Sequence, residues 1–528
     1  MTLQSRRIRR PIQLIAVVAA GMLALGGCTS TDGGGTTDTV IYRIQADPVS
    51  MIPAMTTGYP DQQVGSVIFE GLTVPDKDGL AAPALAESWE ISPDGLEYTF
   101  HLREDVQWHD GKPFTSADVK FTYERVSLPY GPVWGRIKDN FQGVDTPDEH
   151  TAVLKLKTPY APILLLTRTS HNGAILPAHI YGDIEMTKVN AIDVPPVGTG
   201  AFKFEKYTPG QKIELIRNEA YWGGTPKIAK LVAQVIPENR SAMSALQAGE
   251  LDFMPQLGGN QIAELQQLGG FTIADTLGGN PAADYLFFNV ERPVISDPTV
   301  RRALVQAINR DYLIEKVYFG DGEPGRSAIL DTWANTGVVD YNKALPFDTR
   351  AAAAALDAAG YPADSSGKRF TLKFVTVADP PELEQLAIAI QSMWAQVGVT
   401  VEVVKMERAA FLEATSKGTD YDITSQQLTS FGDPAAGTAR VYVCSSIGTQ
   451  FANSSRYCNP DLDTVWEAAS AASEVEKRRD LYAKIDETLL ADMPSMVIRQ
   501  YVGKYAIRAD LQVDVVQGAV GWAQASFT

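Results

Sequence analysis

The sequence predicts a multidomain protein that combines α/β and α+β parts, on three observations. The chain has 528 residues, far more than one hydrophobic core usually serves. A strand, helix and strand follow one another over 370–404, and two short strands flank a Ser-Pro-Asp-Gly turn over 89–102. Hydrophobic residues make up 45% and charged residues 21%, a balance that excludes disorder, collagen and coiled coil. With 46 Lys+Arg against 63 Asp+Glu the formal charge is −17, so neither a nucleic-acid partner nor an anionic membrane face is expected.

The amino terminus sets the compartment. Arg6, Arg7, Arg9 and Arg10 precede an apolar run over 12–25 that is too short to span a bilayer, the pattern of an export signal. It ends in Leu25-Gly26-Gly27-Cys28, which resembles the bacterial lipoprotein processing box, with Cys28 as the acylated residue. An ordinary secretory signal that contains a cysteine is the alternative. Residues 29–39 are Thr, Ser, Gly and Asp only, which gives a flexible tether with nothing to bury. Cys444 and Cys458 remain, fourteen positions apart in an oxidising compartment. Their spacing does not suit a tight metal or redox pair, so a disulfide is expected, two buried thiols being the alternative.

Taken in order, a strand is expected at 40–44, and a helix carries Val64, Ile68 and Phe69. Strands at 89–91 and 98–102 form a hairpin; Thr115 then caps a helix from Ser116, with Asp118 as the acidic third residue. Strands follow at 201–207 and 212–217, a short helix at 242–248 and strands at 251–254 and 285–290. Asp297-Pro298 starts a helix, as does Asp348, whose alanine-rich helix Gly360 stops. Strand 370–377, a helix carrying Leu383, Leu386, Ile390, Met393 and Val397, and strand 399–404 make a βαβ unit with a parallel sheet. A late helix through Val475, Leu481, Ile485 and Leu489 precedes Pro494 and a last pair of strands.

Signatures of catalysis are missing from the pattern. The five histidines show no HExxH spacing, and there is no G-x-S-x-G elbow, phosphate loop or dinucleotide loop. No cofactor, no metal and no enzymatic activity are expected. Aromatics such as Tyr59, Trp333 and Phe431 suit the lining of a closable cleft.

Several runs resemble one family. Leu85-Ala86-Glu87-Ser88-Trp89, Ser92-Pro93-Asp94-Gly95, His109-Asp110-Gly111-Lys112-Pro113-Phe114, Pro196-Val197-Gly198-Thr199-Gly200, Val300-Arg301-Arg302-Ala303-Leu304 and Asn459-Pro460-Asp461-Leu462-Asp463 are similar to the oligopeptide/dipeptide class (family 5) of ABC-importer solute-binding proteins. They occur in order over essentially the whole mature chain.

The resemblance implies a periplasmic-binding-protein-like class II fold, α/β, with two lobes on a hinge plus an extra α+β domain. The implied division is a signal peptide at 1–27, a tether at 28–39, lobe I at 40–72, 189–280 and 501–528, the extra domain at 73–188, and lobe II at 281–500. It implies a lipid-anchored monomer on the outer face of the bacterial membrane that captures peptides or peptide-like solutes by lobe closure. Permease subunits, with ATPases inside the cell, would receive them. A sugar, opine or metal-chelate carrier on the same scaffold, or a surface signalling or chaperone-like protein, is the alternative. The implied solute-contacting residues are Tyr59, Tyr285, Trp333, Thr429, Ser430, Phe431 and Asp433. In dipeptide-type relatives a Trp-Thr-Gly-Asp-x-Gly-Asp-Pro segment supplies an aspartate for the ligand's ammonium. Here Ser430 stands at that aspartate's position, while Gly432-Asp433-Pro434 match.

Overall fold

Three sheets organise the chain, each with its own apolar core. The structure is a computed structural model and describes residues 38–189, 194–277, 281–330, 339–378, 380–516 and 518–528. Cys28, the signal segment and Trp333 lie outside the described residues, as does all but the end of the tether.

The first sheet has seven strands in the order Phe271–Asp275, Lys504–Arg508, Phe253–Met254, Thr39–Ile44, Lys230–Val235, Lys212–Arg217 and Phe202–Thr208. Thr39–Ile44 runs parallel to Lys230–Val235, with Val40, Tyr42 and Ile44 almost fully buried. The expected strand at 251–254 shortens to Phe253–Met254. Asp252 beside it uses its carboxylate to accept from Ile41 N at 2.7 Å, anchoring the central strand.

The second sheet has six strands in the order Glu323–Pro324, Ser495–Tyr501, Ala282–Phe288, Ile423–Thr429, Phe370–Val377 and Val399–Met406. The βαβ unit is its far edge: Phe370–Val377 and Val399–Met406 pair in parallel, and the helix Pro381–Ala395 buries Leu383, Leu386, Ile390 and Met393. That stripe recurs at helical spacing, which is why the sequence pattern located it. The expected strand at 285–290 shifts to Ala282–Phe288. Asn289 ends it, because its side-chain amide donates to the Thr419 and Tyr421 carbonyls at 3.2 and 3.0 Å.

The third sheet is antiparallel, in the order Ala86–Ile91, Glu97–Leu102, Thr151–Leu156, Phe141–Asp148. The Ser92–Gly95 turn closes the hairpin through Gly95 N to Ser92 O at 2.8 Å. Thr115 and Asp118 form the capping box that starts the helix Ser116–Thr122. Trp108, Trp134 and Tyr98 fill the core beneath this sheet.

The chain passes from the first sheet to the second between 275 and 282, and returns between 501 and 504. The strands that flank the crossings pair with each other, Phe271–Asp275 with Lys504–Arg508 and Ala282–Phe288 with Ser495–Tyr501, so the two crossings start and end side by side. Cys444 and Cys458 are joined by a disulfide with their Cα atoms 4.5 Å apart, so the expected bond is present. No helix among the described residues is long and apolar enough to cross a membrane.

Candidate functional site

The strand Ile423–Thr429 ends at the junction of the two sheets and delivers the loop 430–437. Backbone contacts hold the loop tightly. Ser430 N donates to Pro281 O at 3.2 Å, tying it to the start of the neighbouring strand, and Gly437 N donates to Asp433 O at 2.9 Å. Gly437 has to be glycine, because a Cβ there would stand 1.9 Å from the Ser430 carbonyl. Phe431 adopts φ 53°, left-handed backbone that a bulky residue holds only when its surroundings over-determine it.

Those surroundings are polar and come from both sides. Phe431 O receives a hydrogen bond from His171 Nε2 at 3.2 Å, and the two rings meet edge to face at 6.4 Å. Burial, helped by the nearby Arg168 charge, pushes the His171 imidazole down to about 3, so the ring is neutral at physiological pH. Since a carbonyl only accepts, Nε2 carries the proton and Nδ1 accepts from Ser170 Oγ at 2.9 Å. The guanidinium carbons of Arg440 and Arg136 lie 4.7 and 5.2 Å from the Phe431 ring centroid, in cation–π range.

Six of the seven residues expected to contact solute lie among the described residues, and they fall into different places. Thr429 is exposed at the strand end, and its carbonyl accepts from Arg440 at 3.4 Å. Phe431 is half-buried, as described. Ser430 is fully buried, and its Oγ accepts from Gly432 N at 3.2 Å within the loop. Asp433 is buried as well: its Oδ1 accepts from Arg478 at 2.7 Å, from Ala435 N at 2.9 Å and from Tyr482 OH at 3.3 Å. Tyr59 opens the helix Tyr59–Ile68 on the other sheet's side, where burial, with Tyr505 nearby, holds its hydroxyl well above the ordinary tyrosine pKa. Tyr285 is 1% exposed and stacks on Phe287 at 5.5 Å, inside the second core.

A second polar group sits at the same junction, and nothing in the sequence pattern marks it. Asp284 and Gln427 are directly opposed on neighbouring strands, so their side chains share a face. Arg499 Nε donates to Asp284 Oδ2 at 2.8 Å, and Gln427 donates to Oδ1 at 3.3 Å. Arg499 also reaches Asp321 at 3.3 Å and lies between the Tyr318 and Tyr501 rings, 4.0 and 3.9 Å from their centroids. Burial raises the Asp284 carboxyl, and the Arg499 charge opposes that rise. Gln427 itself is exposed, so this buried group reaches the surface beside Thr429. The arrangement offers an aromatic ring, guanidinium groups and exposed amide and hydroxyl side chains. Such a set can hold a solute by contact and charge. Among the described residues no group of three or more His, Cys, Asp or Glu could hold a metal ion.

This architecture, two sheet lobes on a double connection with a tightly held loop at their junction, is that of solute-binding proteins of the periplasmic type. Residues 81–449 match the model of bacterial extracellular solute-binding proteins, family 5, and the chain belongs to that family. It is a non-catalytic, extracytoplasmic binding protein, the solute-binding component of an ABC importer. It is 29% identical to the dipeptide-binding protein of Escherichia coli strain K12, over 95% of this chain and 97% of that one. It is 27% identical to heme-binding protein A of Haemophilus influenzae, over 92% and 93%. The ABC transporter substrate-binding protein CtaP of Listeria monocytogenes has the same fold, with a TM-score of 0.80 at 23% identity over 93% of this chain and 99% of that one.

Proposed function

We propose that the protein captures peptides or peptide-like solutes between its two lobes and passes them to the permease subunits of an importer. The observation that carries this reading is the setting of Phe431. Its loop belongs to the second lobe, yet its carbonyl and ring are met by His171 and Arg136 from the block 73–188. A loop gripped from both sides is a natural place for closure to be completed around a solute, and exposed Thr429 and Gln427 stand beside it. Similarity to a dipeptide-binding protein over nearly the full length of both chains supports peptides as the solute class.

In this reading 281–500 is one lobe, and 40–72, 189–280 and 501–528 form the other. The block 73–188, with its own sheet and core, is an extra α+β domain. Cys28 carries the lipid that tethers a monomer to the membrane. Phe431 and Thr429 contact solute directly with Tyr59 opposite, while Ser430 and Asp433 hold the loop's shape and Tyr285 supports it from the core. A blocked peptide or a non-peptide solute is the second reading, favoured by one feature: Ser430 brings no carboxylate to the position, and its buried hydroxyl accepts from Gly432 N. Native mass spectrometry of the protein as purified tests the proposal. A retained adduct of peptide mass is expected; an adduct that fragments as a porphyrin, sugar or chelate overturns the peptide assignment.

A further inference from the structure

We propose that the crevice where the helix Gly259–Leu268 of the first lobe faces residues 319–321 of the second is a subsite for an organic cation: an alkylammonium or guanidinium group on an apolar stem. The inference rests on the solute-binding reading and names the chemistry of one part of the bound solute.

The crevice has a volume of about 320 Å3 and draws its walls from both lobes. Ile262, Ala263 and Ile273 come from the first lobe, and Phe319 and Asp321 from the second. Phe319 is 63% exposed and has φ 55°, so a large apolar ring is held out toward solvent in a costly backbone conformation. The two lobes approach closely here. A Cβ on Gly259 would lie 2.6 Å from the Tyr318 carbonyl, so a side chain at 259 would force them apart.

The charge count calls for a cation. Asp321 is only 8% exposed; one oxygen accepts from Arg499 at 3.3 Å, and the other, Oδ1, has no hydrogen-bond partner. Arg499 is already committed to Asp284 at 2.8 Å, so two buried carboxylates share one guanidinium. Lys504, which also lines the crevice, is held by Asp275 at 2.5 Å. Burying a carboxylate without its full complement of partners is unfavourable, and a positive group entering the crevice would relieve it. The apolar walls suit the methylene stem of such a group. They do not suit a bare divalent ion, which demands several oxygen ligands. Because the carboxylate belongs to one lobe and most of the apolar wall to the other, a bound cation would hold the two together.

The test is calorimetric titration of wild type and Asp321→Asn with a short peptide carrying lysine, the same peptide carrying norleucine, and free cadaverine. Asp321→Asn leaves Asp284 and Arg499 as a balanced pair, so it should fold, which its melting temperature checks. Wild type should prefer the lysine peptide. The substitution should weaken that peptide by about ten- to a hundredfold, move the norleucine peptide by less than about threefold, and abolish cadaverine binding. An unchanged lysine-to-norleucine ratio, with cadaverine bound equally by both proteins or by neither, overturns the proposal. If no peptide binds wild type, the peptide reading fails on its own, and the cadaverine comparison still decides the subsite. Should Asp321→Asn not fold, Ala263→Lys, at an exposed helix position, places a tethered ammonium in the crevice. It should exclude cadaverine and the lysine peptide, and undiminished binding of both overturns the subsite.

Discussion

Asp433 and Arg478, forty-five residues apart, meet as a buried ion pair at 2.7 Å, each side chain 7% exposed. The pair connects the loop 430–437 to the helix Val475–Asp492, and Tyr482 on the same helix touches both partners. Removing one partner strands the other charge in a dry site. Asp433→Ala is therefore expected to destabilise the protein by about 3–5 kcal/mol, measured by denaturant unfolding. Replacing both residues with apolar ones of similar volume should cost much less than that. A single-mutant loss within about 0.5 kcal/mol of zero would show that the pair does not hold the loop.

His171 gives the site a pH dependence. Its native pKa, about 3, lies below the unfolded value of about 6.5, so the neutral ring is the form the fold favours. The stabilisation is complete above pH 6.5 and is lost progressively as pH falls toward 3. Relative to His171→Gln, which does not titrate, wild type should lose about 2 kcal/mol of unfolding free energy between pH 7 and pH 5. Parallel pH profiles of the two proteins would contradict a buried neutral histidine.

The disulfide between Cys444 and Cys458 closes a short loop next to the helix Pro460–Ala471. Replacing both cysteines with serine should lower stability by about 3 kcal/mol on the chain-entropy estimate. Chemical denaturation under non-reducing conditions measures it, and an unchanged midpoint would mean that the cross-link adds nothing to the fold.

The anchor is tested by fractionation. Cys28→Ala should move the protein from the membrane fraction to the soluble one, since the proposed lipid is what tethers it to the bilayer. Equal membrane retention of both forms would remove Cys28 from that role.

Local signals were readable in the sequence wherever the cause lies within a few residues. The capping box at Thr115 and Asp118, the Asp297 cap that accepts from Thr299 N, and the parallel neighbours of the βαβ unit all announce themselves through spacing. The Ser430 loop was locatable by resemblance, but its inward-turned hydroxyl was not, because the direction of a loop side chain depends on what packs around it. The partnership of Asp284 with Arg499 joins residues 215 apart. Polar pairs of that kind leave no period in the sequence, and the same holds for the meeting of His171 with Phe431. The first sheet's order, which sets strand Lys504–Arg508 between two others from 253–275, is fixed by a chain that leaves and returns. No short window contains that information.

The central claim, capture of peptides by closure of two lobes, is tested most directly by titrating ligand-stripped protein with mixed peptides of defined length while following its radius of gyration by small-angle X-ray scattering. The account predicts saturable binding of one peptide per chain together with a decrease in the radius. Saturating peptide with no bound species and no change in radius, alongside contraction on adding heme, a sugar or a metal chelate, would contradict it.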